Sequence, residues 1–78
     1  MKTIESVSLS YQDEKSDKVY QLQLNEEATD SYRVDFQFGR RGSTLNTGTK
    51  VQGVALADAQ KAYNKIKAEK MKKGYQTI

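Results

Sequence analysis

The stretch Tyr32-Arg33-Val34-Asp35-Phe36-Gln37-Phe38 alternates apolar and polar residues without a break, then runs straight into Gly39-Arg40-Arg41-Gly42. Period-two alternation is the pattern of a β-strand with one dry face. It places Tyr32, Val34, Phe36 and Phe38 inward and Arg33, Asp35 and Gln37 outward. Register is tightly specified, because a one-residue slip would expose every aromatic. Both phenylalanines of the chain and its only pair of adjacent arginines lie in this stretch. We read it as a core strand that delivers a basic, partly aromatic loop to one edge of a small domain.

Two earlier segments repeat the pattern. Val7, Leu9 and Tyr11 alternate with serines within residues 1–12, and Tyr20, Leu22 and Leu24 alternate with glutamines within Val19–Leu24. Ile4 is out of phase, so the first strand starts after it or carries a bulge. Residues 13–18 and 25–31 are polar and are expected to connect the strands. Gly39 to Gly48 reads as a loop, and Thr49 to Val54 as a short fourth strand interrupted by Gly53. Strands joined in this way predict an antiparallel meander with one wet face.

From Leu56 to about Lys73 the period changes. Leu56, Ala59, Tyr63 and Ile66 fall on one face of a helix. Asp58 lies in the first turn, lysines crowd the last, and Gly74 is placed to end the helix. Lys61, Lys65 and Lys72 project from the opposite side. Lys70 falls within the apolar stripe, so it must snorkel past the sheet edge or lie beyond the packed part of the helix. The expected fold is α+β: a four-stranded, or at most five-stranded, antiparallel sheet with one C-terminal helix packed on one face, residues 1–78 making a single domain.

The charge is unevenly spread. Residues 1–38 carry four Lys/Arg against eight Asp/Glu, and residues 39–78 carry nine against two, within a net charge of +3. Such a split suggests one basic surface facing an anionic partner, although lysines that merely solvate a helix are an equally physical account. Nothing in the sequence suggests an enzyme. There is no histidine to act as a base near neutral pH and no cysteine nucleophile. Asp13, Glu14 and Asp17 lack the loop pattern of a calcium site, and no metal or cofactor motif is present. No signal-peptide core and no apolar run near the ~20 residues of a membrane span occur, so a soluble cytoplasmic protein is expected.

What remains is a cluster of Phe38, Arg40, Arg41 and Lys50, with the hydroxyls of Ser43, Thr44, Thr47 and Thr49 nearby. Arginine presents a planar fork of donors to phosphate, hydroxyls add contacts, and an aromatic ring can stack on a base or sugar. The bland alternatives are as concrete. Alternation assigns Phe38 to the core face as a packed end-of-strand residue, either arginine can pair with Asp35 or a loop glutamate, and Gly39 and Gly42 have turn or bulge roles first.

Phe38-Gly39-Arg40 at the end of an aromatic strand, then Gly42-Ser43, a further strand, and a helix ending Lys70-Met71-Lys72-Lys73-Gly74-Tyr75 together resemble the WGR domain, named for a Trp-Gly-Arg triplet at that place. The resemblance spans roughly residues 18–76, and with the first strand it extends over the whole chain. It implies a small antiparallel sheet with one helix. In DNA-dependent poly(ADP-ribose) polymerases such a domain binds DNA near a strand break, the triplet's Trp stacking on the terminal nucleotide and its Arg contacting DNA and a neighbouring domain. Carried over, Phe38 takes the stacking role and Arg40 the contact role, with Arg41 and Lys50 on the backbone. Phe38, Gly39, Arg40, Arg41 and Lys50 are therefore the candidate nucleic-acid-binding residues. Phenylalanine keeps a stacking face but lacks the indole N–H, and with no catalytic domain in the chain ADP-ribosyl transfer does not follow. The partner is DNA, or alternatively another protein meeting the arginine loop; a monomer is expected, with self-association through sheet edges left open.

Overall fold

Each alternating segment forms a strand. In the computed structural model, which describes residues 2–78, β1 is Lys2–Gln12, β2 is Asp17–Ala28, β3 is Ser31–Arg40 and β4 is Asn46–Val54. The helix α1 spans Leu56–Lys72 and is followed by a two-residue strand, β5, at Gln76–Thr77. The strands form one antiparallel sheet in the order β4-β3-β2-β1-β5. The fold is thus α+β with five strands. The fifth is too short to show alternation; it forms because the chain leaves the helix beside β1, where Ile78 N–H donates to Ser8 O at 2.9 Å. No helix among the described residues is long and apolar enough to cross a membrane.

Ile4 does lie in a bulge. The register of β1 on β2 slips between Thr3 and Glu5, which turns the Ile4 side chain to solvent. The polar stretch after Leu24 departs from expectation: β2 continues to Ala28 and reverses in two residues, Thr29 and Asp30, with Asp30 at φ 58°. Asp30 takes the left-handed position of the turn, and Glu27 is the extra residue where the register slips beside it.

The reason β2 continues is on the open face of the sheet. Asn25 is only 3% exposed. It accepts from Thr3 Oγ1 at 2.9 Å and donates to Asp35 Oδ2 at 2.6 Å. Asp35 also accepts from Arg33 Nε at 2.9 Å and from Thr49 Oγ1 at 2.8 Å. Buried polar groups are stable only when satisfied in this way. Burial pushes the Asp35 carboxyl up, but donors from Arg33, Thr49 and Asn25 outweigh it and hold the group below the ordinary carboxylate range. A carboxylate whose pKa is lowered by folding contributes stability that is present above its unfolded pKa and is lost as pH falls through the folded value. Asp35→Asn should therefore cost about 1–2 kcal/mol near neutral pH, because an amide there faces the Asn25 Nδ2 donor with a donor of its own. Urea midpoints measured from neutral to acid pH should show that deficit shrinking in acid.

The other face carries the core: Leu9, Tyr20, Leu22, Leu24 and Val34 of the sheet against Ala59, Tyr63 and Ile66 of the helix. Leu56, expected in the buried stripe, is 42% exposed, because the first helical turn overhangs the end of β4. β4 begins at Asn46, three residues earlier than expected, and includes Gly48 as a paired strand residue. A side chain there has no room: a Cβ on Gly48 would lie 2.5 Å from Phe36 Cζ, because the Phe36 ring covers the glycine.

The course of α1 decides what remains open. It starts just after Val54, which pairs with Tyr32 at one end of the sheet, and it hands over to β5 beside Leu9 and Ser10 toward the other end. The helix, about 25 Å long at 1.5 Å per residue, therefore crosses the sheet obliquely from β4 to β1. The far corner of β3 and β4, where Phe38 pairs with Asn46, is left uncovered.

Candidate nucleic-acid interface

Phe38 does point to the helix side of the sheet, as alternation required, yet its ring is 40% exposed. It ends a run of stacked rings. Tyr20 lies parallel to Phe36 at 5.9 Å between centroids, and Phe38 stacks on both, at 6.2 Å from Tyr20 and 5.8 Å from Phe36. Offset stacking of this kind stiffens each ring beyond what its buried area provides. Phe38 packs against both rings and stays partly exposed.

The hairpin register sets Lys18 directly opposite Arg40. Both lie two positions beyond the Tyr20–Phe38 pair, so they face the same side as Phe38 and Tyr20. With Lys15, Ser16, Asp17, Gly39 and Tyr75 these residues line an open groove of about 360 Å³. An adjoining hollow shares Ser16, Lys18 and Tyr75 and adds Tyr11, Asp13, Lys70 and Lys73. Together the two contain five cationic side chains and two carboxylates.

The wall formed by residues 13–16 is well built. Asp13 Oδ1 accepts from the backbone N–H groups of Lys15 at 2.9 Å and Ser16 at 2.6 Å, and Asp13 Oδ2 accepts from Tyr11 Oη at 3.1 Å. The donation from the Lys15 amide, followed by that from Tyr11, keeps the Asp13 carboxyl below its ordinary value. Asp13 is thus occupied in shaping the turn.

The opposite wall comes from the helix end. Gly74, at φ 107°, follows the C-cap Lys73. Tyr75 N–H donates to Lys70 O and Gly74 N–H to Met71 O, each at 3.1 Å. This pair of bonds is the Schellman arrangement, which brings the residue after the glycine back against the helix. Lys-x-x-x-Gly-Tyr is therefore a capping motif, and its product is the position of Tyr75. Lys70 adopts neither of the two expected positions. Its Nζ sits 4.7 Å from the centroid of Tyr20 and 5.8 Å from that of Tyr75, over the faces of both rings. Burial, aided by the neighbouring Lys73 and opposed by Glu69, lowers the Lys70 pKa from its ordinary value. The ring faces compensate the ammonium for part of its lost water.

The candidate residues separate. Phe38, Gly39 and Arg40 share the groove. Arg40 has no ion-pair partner among the described residues. Gly39 lies close to the Leu45 side chain: a Cβ there would come 3.1 Å from Leu45 Cδ2, which would have to shift slightly to admit it. Gly42 serves a turn, at φ 85° in Arg40–Ser43, where Ser43 N–H donates to Arg40 O at 3.1 Å. Arg41 is engaged elsewhere, its Nε 3.0 Å from Asp17 Oδ1. Lys50 is not part of the cluster. It is the extra residue where β4 slips register between Thr49 and Val51, opposite the interval from Val34 to Asp35. That is about 17 Å along β3 from Arg40 at ~3.3 Å per residue. Arg33 and Asp35 are committed to the open-face network. Lys15, Lys18, Lys73 and Tyr11 were not singled out as site residues by the sequence, because only the hairpin register and the helix cap bring them to Arg40.

The family model for the WGR domain matches residues 5–78. The chain belongs to the WGR domain family. In this WGR domain Phe38-Gly39-Arg40 occupies the end of β3, and the match reaches back into β1, so the first strand is part of the domain. No curated protein and no solved structure matches the chain significantly.

Proposed function

We propose that this WGR domain is a binding module for nucleic acid, DNA ends or breaks in particular, and that it acts by binding without catalysing a reaction. One observation carries the reading: Phe38, partly exposed, and Arg40, without an ion-pair partner among the described residues, line the same groove together with Lys15, Lys18 and Tyr75. An aromatic face suits a terminal base or sugar, and a fork of donors beside it suits the adjoining phosphate. An acidic protein segment would use the cations but not the ring. Membership of the WGR domain family supports the same conclusion.

Titration with nicked and 5′-ended DNA at about 50 and 200 mM salt tests it. With three phosphates contacted, counterion release predicts an affinity fall of roughly fortyfold across that range. Arg40→Ala should weaken binding about three- to tenfold and reduce the salt slope by about one contact. Its melting curve should be unchanged, because Arg40 is exposed and supports no packing. Absence of binding at the lower salt concentration, or binding indifferent to Arg40, rules out this groove as a nucleic-acid site.

A further inference from the structure

The two adjacent arginines have different environments. Arg40 faces the groove, whereas Arg41 Nε donates to Asp17 Oδ1 at 3.0 Å, and Asp17 is the one carboxylate in the part of the groove that holds Phe38 and Arg40. We propose that Arg41 is a positioning residue: it holds and neutralises Asp17, so that no bare carboxylate meets an incoming phosphate in the groove. The inference rests on the anion-binding reading of the groove and assigns Arg41 a role that does not include touching the ligand.

The physical basis is the cost of a bare carboxylate beside an anion. Asp17 lines the same groove as Lys18 and Arg40, so a bare charge on it opposes a phosphate held by these two cations. Like charges that share a groove repel, and a facing arginine removes most of that repulsion. Both partners are partly exposed, with side-chain accessibilities of 51% for Arg41 and 34% for Asp17. An exposed pair adds little to stability. Moreover, the two loops stay joined without the ion pair: Arg41 N–H donates to Asp17 O at 2.9 Å, a backbone bond that survives substitution of either side chain. The remaining carboxylate of the combined surface, Asp13, is already held by its own turn and Tyr11.

The test is a double-substitution cycle on the whole chain, with 5′-ended DNA and inorganic tripolyphosphate as probes at low salt. Arg41→Ala should weaken binding of both probes about three- to tenfold. Asp17→Asn alone should bind at least as tightly as the unsubstituted protein. The combination of Arg41→Ala with Asp17→Asn should recover the unsubstituted affinity and the unsubstituted salt slope. All variants should melt within about 8 °C of one another, as expected for an exposed pair in a domain of this size. A guanidinium that contacts phosphate directly gives a different result: the double variant stays as weak as Arg41→Ala and its salt slope falls by about 0.9. That outcome overturns the positioning role alone. Failure of the unsubstituted protein to bind either probe overturns both the positioning role and the function proposed for the groove.

Discussion

Tyr63→Ala is expected to remove about 3–5 kcal/mol of stability, the range for truncating a large buried side chain. A chain of this length has in total roughly 4–12 kcal/mol, so the substitution removes at least about a quarter of the whole margin. Tyr63 is the largest fully buried side chain, 1% exposed, in the centre of the helix face that also buries Ala59 and Ile66. No disulfide supports the fold, since the chain has no cysteine. The helix is attached to the sheet mainly through this one ring and its two smaller neighbours. Leu56→Ala provides the contrast. Helical spacing alone ranks Leu56 with Tyr63, but its exposure limits the expected loss to about 1 kcal/mol. Denaturant unfolding followed by circular dichroism should separate the two variants clearly; equal losses would show that the helix docks with a different face.

Phe38→Ala carries the largest expected effect on binding. Removal of a stacking ring costs about 1–3 kcal/mol per base, which is roughly a 5- to 150-fold loss of affinity for 5′-ended DNA. Stability should change far less, because the ring is 40% exposed and its neighbours Tyr20 and Phe36 remain stacked on each other. Phe38→Trp should bind at least as tightly as the unsubstituted protein, since it enlarges the stacking face. A Phe38→Ala variant that binds DNA normally while melting several degrees lower would make the residue a packing element and leave Arg40 and the lysines as the whole of the site.

These two residues also show where sequence reading succeeds and where it stops. Tyr63 was placed on the buried face by spacing alone, because a helix with one dry side must repeat its apolar residues every three or four positions. Phe38 was assigned to the correct side of the sheet by alternation, but alternation says nothing about whether anything covers that side. The oblique course of α1 leaves it uncovered. Lys50 illustrates the opposite error: it is near Arg41 in sequence and was grouped with it, yet β4 runs antiparallel to β3 and carries Lys50 away toward the other end of the sheet. Arg41 adjoins Arg40 in sequence in the same way, yet only Arg41 pairs with Asp17, while Arg40 lines the groove without an ion-pair partner among the described residues.

Local chemistry therefore determined the four long strands and the helix in outline, while β5 and the exact ends of β2 and β4 depend on tertiary contacts. Strand alternation, the switch to helical spacing at Leu56, and the Gly74 stop depend on residues within a few positions of one another, and each is legible without a structure. The composition of the groove was decided only by the tertiary fold. Lys18 meets Arg40 across a hairpin, Tyr75 is brought alongside by the Schellman cap, Lys70 settles over Tyr20, and Asp17 captures Arg41. The hairpin and inter-loop contacts join residues more than 20 positions apart, and their geometry follows from strand register and helix direction, which no single stretch of sequence encodes.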